Sequence, residues 1–358
     1  MEKILIVDDE INVRRALIRI LRGPGRQLDT ASNGNEALDM MVSEDYNLVI
    51  SDLKMPELDG IAFLEQVTIQ YPAVSQILVS GHADLADLGH AISRCELTQF
   101  IAKPWQTKDL TTKVEQTLRE NRQIRKQRHA VSELNQELSE AASLQLKLLP
   151  AQVNNKQCRI EWLYKPCSKL GGDGFGYRIE NNQVSFFLID VAGHGTRAAM
   201  ESFALQNMLA NKDFTDPAAV AAEMNQHYLG FGDSLHYFTM IAGRINLATG
   251  EMVYCQAGHP SPVIINGKTR LASIKPGSGY PIGLVTQAEY ANQTNVLAQG
   301  DAILLFSDGF FEGDGKELEL ALNQMSADDD ITSDGLLNWR LSVSESIDDI
   351  SAIFLERK

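Results

Sequence analysis

Only four cysteines, Cys95, Cys158, Cys167 and Cys255, stand among the 358 residues, and no two form a C-x-x-C pair. That scarcity argues against a disulfide framework and against a thiolate zinc site, and leaves the four as reduced packing residues. No apolar run approaches the roughly 18 residues that a bilayer crossing needs. The opening MEKILIVDDE also lacks the basic-then-apolar layout of an export signal, so a cytoplasmic chain is expected. Basic residues are scarce too: 32 Lys and Arg face 47 Asp and Glu, a net charge of -15. A surface of that sign repels phosphate backbones, which sets nucleic acid aside as a partner. What remains is an ordinary globular composition, 44% apolar and 22% charged, at a length that suits two domains of about 100 to 200 residues.

The charge is unevenly spread. Residues 1 to 113 carry 11 basic against 17 acidic groups and residues 151 to 358 carry 15 against 25, whereas the stretch from 114 to 150 carries 6 against 5. The ends read as domains and the middle as a connector. In the first segment the apolar runs Ile4 to Val7, Leu48 to Ile50, Ile77 to Val79 and Phe100 to Ala102 are each followed by amphipathic sequence, the pattern of a parallel sheet covered on both faces. The first helix, around Asn12 to Leu21, is stopped by Gly23-Pro24-Gly25. Ligands of such folds sit outside the carboxyl ends of the strands. From Thr107 to about Leu149 helix formers dominate, and Val131, Leu134, Leu138, Ala141 and Leu148 follow steps of three and four that Gln145 interrupts. A dimeric coiled coil and a solvated spacer helix with one packed end fit this spacing equally. Pro150 closes the helix. Beyond it, strands at Gln183 to Ile189, Tyr237 to Asn246, Glu251 to Gln256 and Ala302 to Phe306, with helices at Thr196 to Asn211 and Pro217 to Leu229, predict an α+β domain built on antiparallel sheets. An acidic, turn-rich stretch lies near Asp328-Asp329-Asp330. The expected boundaries are 1–120, a helical linker at 121–149, and 150–358.

Two constellations carry chemistry. Asp8 and Asp9 follow the first strand, Asp52 the third, Ser80 the fourth and Lys103 the fifth, so all five converge on one end of the sheet. Three carboxylates together repel unless a cation joins them, and an all-oxygen site of this charge suits Mg²⁺. Asp52 is then a nucleophile toward a phosphoryl donor. Lys103 neutralises the transferred oxygens, and Ser80 offers a hydroxyl to the attached group. A lone Asp at a strand end is ordinarily a helix cap; five matching residue types at the strand ends are not. DD at 8 and 9, DLKMPELDG from Asp52 to Gly60, Ser80, and KPW from Lys103 resemble the receiver domain of two-component response regulators over about residues 1–120. The resemblance implies a flavodoxin-like, five-stranded parallel sheet and phosphorylation of Asp52 by a histidine kinase. It further implies Mg²⁺ held by Asp9, Asp52 and the Lys54 carbonyl, with Asp8 beside them. Ser80 would move toward the phosphate while Phe100 turns inward; Phe100 as a plain core aromatic stays open beside that reading.

The second half offers Gly171-Gly172-Asp173, Asp190-Val191-Ala192-Gly193-His194-Gly195, Ser307-Asp308-Gly309 and Asp348-Asp349-Ile350-Ser351. Three of the four adjoin a strongly apolar strand, which places carboxylates at strand ends facing a common cleft. Aspartates without Cys or His companions favour Mg²⁺ or Mn²⁺, and a carboxylate-bridged pair of such ions clamps a phosphate ester and supplies a hydroxide for in-line attack. With Thr239, Ala257-Gly258-His259-Pro260 and the block from Gly300 to Gly309, these motifs resemble the SpoIIE type of the metal-dependent protein phosphatase 2C family over about residues 140–358. The resemblance implies a flanked antiparallel β-sandwich and two Mn²⁺ or Mg²⁺. It assigns Asp173, Asp190, Asp308 and Asp348 as ligands, with the Val191 carbonyl as a further one, Asp349 as a neighbour to keep, and Asp173 and Asp190 at the catalytic centre. Two departures stand out: Gly176 replaces the second acid of GGD-x-x-D, and the stretch between Glu312 and Asp348 is short. His194 and His259 lie in Gly-rich or Pro-rich turns, where a loop-anchoring hydrogen bond is commoner than general acid catalysis. Met200, Met208 and Met224, at helical spacing, read as core filler.

The sequence therefore predicts a response regulator whose output is a protein serine/threonine phosphatase, signalled through the helix at about 107–149, with a possible homodimer along it. By resemblance its substrate is a phosphoserine on a STAS-domain anti-sigma-factor antagonist. The alternative is a catalytically degenerate adaptor that binds an anti-sigma factor or another partner under receiver control, a reading that Gly176 favours.

Overall fold

The computed structural model describes residues 1–81, 97–229, 237–275, 277, 279–311, 318–320, 322–323, 335, 338, 340 and 348–358. Cys95, the acidic stretch at 328–330 and most of the stretch between Glu312 and Asp348 lie outside them. The chain divides into two compact units, Met1–Asn135 and Gln136–Lys358.

The first unit is a parallel sheet of β1 (Glu2–Val7), β2 (Arg26–Ala31), β3 (Leu48–Asp52), β4 (Ser75–Gly81) and β5 (Leu97–Lys103), ordered β2-β1-β3-β4-β5. Strand alternation sorts its apolar side chains onto two faces. Leu5, Val7, Val49 and Leu78 pack with Met41, Phe63 and Leu64 from α2 (Gly34–Ser43) and α3 (Gly60–Gln70). Ile4, Ile6, Leu48, Ile50 and Ile77 pack with Leu17 and Leu21 of α1 (Ile11–Leu21) and with Leu110, Val114 and Leu118 of α4 (Thr107–Leu148). Each fully buried side chain of this size contributes roughly 1.5–3 kcal/mol. Asn33 and Asp59 cap α2 and α3 by accepting from the amides of Glu36 and Ala62. Strand β2, of sequence RQLDTA, is an edge strand that is half-buried over most of its length. An apolar-run reading passes it over for that reason.

Helix α4 runs for 42 residues, about 63 Å at 1.5 Å per residue, and its last buried residue is Asn121. No helix among the described residues is long and apolar enough to cross a membrane.

The second unit is a β-sandwich of two antiparallel sheets. One contains β8 (Asp173–Glu180), β9 (Gln183–Val191), β10 (Phe238–Asn246), β11 (Glu251–Ala257) and β14 (Gln293–Val296), in the order β14-β11-β10-β9-β8. The other, ordered β13-β12-β15-β16-β7-β6, contains β6 (Val153–Asn154), β7 (Cys158–Lys165), β12 (Val263–Ile265), β13 (Ala272–Ile274), β15 (Ala302–Phe306) and β16 (Ile350–Arg357). The core between them draws Phe175, Phe186, Leu188 and Ile241 from one sheet and Ile160, Ile303, Leu305, Ile353 and Leu355 from the other. On the outer face of the first sheet Phe187, Ile189 and Met240 pack under α5 (Thr196–Ala210) and α6 (Pro217–Leu229) through Leu205, Leu209, Val220 and Met224. The expected sandwich flanked by helices is the fold observed.

Two packing expectations need correction. Met224 is buried and Met208 partly so, but Met200 is 70% exposed, because its turn of α5 faces away from the sheet. Cys158 and Cys255 are buried, whereas Cys167 is exposed in the loop from β7 to β8. It is not a packing residue.

Candidate functional site

In the first unit the parallel register brings the five expected residues to one end of the sheet. Asp52 closes β3 opposite Val79, Ser80 pairs with Ala102, and Lys103 closes β5 opposite Gly81. The Lys103 ammonium lies 2.7 Å from Asp52 Oδ1 and 3.0 Å from Asp8 Oδ2. Asp8 is buried, Asp9 exposed, and the three carboxylates of Asp8, Asp9 and Asp52 each offer an oxygen within 4.8 Å of the others. Burial holds the Asp52 carboxyl above its usual range despite the pairing with Lys103. Burial opposes the charge on Lys103 too, yet the hydrogen bonds to Asp52 and Asp8 carry that ammonium above its ordinary range. A clustered all-oxygen donor set with one ammonium on its flank fits a hard cation. Lys54 stands in the loop directly after Asp52, Ser80 is buried, and Phe100 is half-buried against the α2 and α3 face.

In the second unit the expected acids arrive from both sheets. Asp173 opens β8 directly opposite Asp190 on β9, and Asp190 in turn faces Thr239 on β10. Asp308 follows Ser307, whose amide donates to Ser351 O at 2.9 Å, so the end of β15 meets the start of β16 and its leading Asp348-Asp349. A Cβ at Gly172 would come within 3.2 Å of the Val191 carbonyl oxygen, which places that carbonyl beside the turn carrying Asp173. Asp173 is 2% exposed, and its Oδ2 has no hydrogen-bond partner. Burial, then the charge of Asp190, raises its carboxyl well above the usual range, and the neighbouring Ser351 and Ser307 hydroxyls offset this only in part. Asp190 is raised in the same direction by burial and by Asp308, Asp348 and Asp349. Buried like charges are tolerated when protonated or when a cation joins them, and this donor set of carboxylate and carbonyl oxygens fits a hard divalent ion.

The two neighbouring acids have different surroundings. Asp348 is exposed, and its Oδ1 accepts from the amide of Asp349 at 2.8 Å. Asp349 is buried; its Oδ1 accepts from the Cys167 amide at 2.7 Å and its Oδ2 from the Gly172 amide at 2.5 Å. It thereby pins the loop that delivers Asp173. Gly171 of that loop exchanges hydrogen bonds with the Gln145 side chain of α4, whose Nε2 donates to Gly171 O at 2.9 Å while Oε1 accepts from Gly171 N at 3.3 Å.

The β-strand period settles where Gly176 points. Phe175 lies in the inter-sheet core, whereas Gly174 backs onto Ser202 and Gln206 of α5 and Gly176 onto Phe187, whose ring atom Cζ would sit 2.7 Å from a Cβ there. Position 176 thus belongs to the α5 face, opposite to Asp173, and its lack of a carboxylate removes no donor from the cluster. His259 is buried, with Nδ1 2.7 Å from Thr239 Oγ1, and burial lowers its pKa to about 3. It is a neutral anchor for the strand that faces Asp190. His194 is exposed in a turn where Gly193 and Gly195 take φ of 100° and 85°, values that favour glycine.

Gln145 and Cys167 are neighbours of the site that none of its sequence motifs contains, and Ser351 lies inside one of those motifs without an assigned role. Gln145 had a signal, a polar residue in an apolar stripe. Cys167 had none beyond its place six residues before Asp173.

Residues 4–115 match the family model of the response regulator receiver domain, and residues 180–358 match that of stage II sporulation protein E (SpoIIE). Over 183 residues the chain is 26% identical to the phosphoserine phosphatase RsbP of Bacillus subtilis (strain 168), covering 49% of this chain and 45% of that protein. Over 115 residues it is 32% identical to the hydrogenase transcriptional regulatory protein HoxA of Cupriavidus necator, covering 32% of this chain and 24% of that one. The chain spans less than half the length of these curated relatives. The SiaA-PP2C domain of Pseudomonas aeruginosa shares the fold of the second unit, with a TM-score of 0.53 at 20% identity over 64% of this chain and 98% of that domain. The chain belongs to the SpoIIE family and carries a response regulator receiver domain ahead of the family's own domain.

Proposed function

We propose that this chain is a two-component response regulator in which phosphorylation of Asp52 controls a metal-dependent protein serine/threonine phosphatase. The observation that carries the reading is Asp173 Oδ2, buried without a partner opposite Asp190, in a cluster where Asp308, Asp348 and Asp349 add charge of the same sign. Asp173, Asp190, Asp308 and Asp348, with the Val191 carbonyl, would hold two Mn²⁺ or Mg²⁺, and Asp349 would fix the loop behind them. Such a pair supplies charge neutralisation and an activated water for attack on a phosphate ester. The likeness to a protein named a phosphoserine phosphatase supports phosphoserine as the substrate, and the family resemblance supports a STAS-domain anti-sigma-factor antagonist as its bearer.

In the receiver, an Asp52 oxygen attacks the phosphorus of a kinase phosphohistidine, and the P–N bond breaks as the histidine ring nitrogen leaves and the aspartyl phosphate forms. Asp8, Asp9, Asp52 and the Lys54 carbonyl would hold Mg²⁺, Lys103 neutralises the transferred oxygens, and Ser80 meets the phosphoryl group. Gln145 connects α4 to the GGD turn, a direct route from the linker helix to the loop that carries Asp173.

The test is release of phosphate from a phosphoserine protein by the full chain with Mn²⁺. Asp190→Ala is expected to lower the rate at least about 100-fold, since even an outer partner of a metal site costs 10- to 100-fold. Wild-type turnover no faster than that variant would instead identify a non-catalytic adaptor.

A further inference from the structure

Three buried side-chain oxygens of the second unit, Tyr164 Oη, Ser351 Oγ and Asp173 Oδ2, have no hydrogen-bond partner. They come to the same end of the space between the sheets. Tyr164 on β7 lies directly opposite Ser351 on β16, so both side chains leave the sheet on one face. The Tyr164 ring packs against the inter-sheet core, with its centroid 6.1 Å from that of Phe175, two residues after Asp173. Beyond the ring, the hydroxyl reaches the GGD turn: a Cβ at Gly171 would meet Tyr164 Oη at 2.5 Å, so glycine at that position admits the phenol. The charge of Asp173 acts on this hydroxyl, and the Ser351 hydroxyl neighbours Asp173. Two of the three oxygens carry a proton to donate, and the carboxylate oxygen accepts. A buried polar group left unpaired costs about 1–3 kcal/mol. Since none of the three bonds directly to another, one buried water, with the roughly three hydrogen bonds such a water makes, is the link that satisfies them.

We propose that Tyr164, with Ser351 beside it, is a positioning residue of the cage: through that water the two hydroxyls hold the inner oxygen of Asp173 and fix the aspartate's orientation toward the divalent cations. A metal-ligating carboxylate is itself held by hydrogen bonds, and loss of such a partner costs roughly 10- to 100-fold in metal affinity. The inference rests on the metal-cage reading above.

The readout is Mn²⁺ uptake by the full chain, followed through the paramagnetic resonance signal of free Mn²⁺. Every protein compared carries Asp9→Ala, which takes an acid from the receiver's donor set so that the uptake is that of the second unit. Tyr164→Phe, which keeps the ring against Phe175, is expected to weaken uptake at least about tenfold, and Ser351→Ala to weaken it in the same direction. Tyr290→Phe is the control: its hydroxyl is also buried without a partner, but its ring packs on the α5 and α6 face, and uptake should be unchanged. Circular dichroism checks that each variant is folded, and Ser351→Ala carries the test if Tyr164→Phe is not. Uptake by Tyr164→Phe equal to that of the parent, or an equal loss in Tyr290→Phe, overturns the positioning role and leaves the cage standing. No uptake by the parent overturns the cage and the positioning role together.

Discussion

His259 is the residue whose protonation the fold resists most plainly. The residue is 6% exposed, its Nδ1 is taken up by Thr239 Oγ1, and burial lowers its pKa from 6.5 to about 3. The unfolded chain binds a proton at this side chain below about pH 6.5 and the folded chain does not, so the stabilisation is fully present above pH 6.5 and is lost as pH falls toward 3. Between pH 7 and 5 the loss amounts to about 2 kcal/mol. Asp173 and Asp190, with raised values, act in the opposite sense, so the informative quantity is the difference between two proteins. Denaturant unfolding of metal-free chain at the two pH values is expected to show a steeper acid loss for wild type than for His259→Gln, by about that amount. Equal slopes would mean that the ring is protonated inside the fold.

At the scale of elements, the end of α4 is where a helix meets the proposed catalytic loop. Two hydrogen bonds join Gln145 to Gly171, each worth about 1 kcal/mol net, so Gln145→Leu should loosen the hold of the helix on the turn by about 2 kcal/mol. Beryllofluoride, which mimics the phosphoryl group on Asp52, is expected to change the phosphatase rate of the wild type and to change that of Gln145→Leu much less. An undiminished response in the variant would place the coupling elsewhere. The same element shows what a sequence discloses. Apolar runs such as Ile4 to Val7 and Ala302 to Phe306 announce strands because both of their faces are covered, while β2 hides its strand character behind Arg26, Gln27 and Asp29. Gln145 looks like a flaw in a heptad until its partner, 26 residues on, is known. Gly176 looks like a lost ligand until the strand period turns it toward Phe187. Asp8, Asp52, Lys103, Asp173 and Asp190 were legible because strand ends gather side chains predictably. Contacts made by loops, such as those of Cys167 and Asp349, depend on closure between distant segments and left no periodic trace.

For the whole molecule, two arrangements of α4 compete, a lone spacer helix and a pair. Beyond Asn121 the residues of α4 are at most half-buried, Leu138 and Ala141 among them, while Val131 and Leu134 are 57% and 55% exposed. Isolated helices depend on an apolar face packed against something, and a stripe from Val131 through Leu134, Leu138 and Ala141 is the kind of seam that a second copy covers. The chain's net charge of -15 opposes association, but residues 114 to 150, with 6 basic and 5 acidic groups, are nearly neutral, so the repulsion is weakest along this seam. A dimer through α4 is therefore expected. Sedimentation equilibrium should give the mass of two chains for wild type. Val131→Glu combined with Leu134→Glu, which sets like charges against each other across the seam, should give the mass of one. Circular dichroism would confirm that the variant stays folded. A wild-type mass of one chain would leave α4 a solvated spacer, and signalling between the units would then run within a single chain through Gln145.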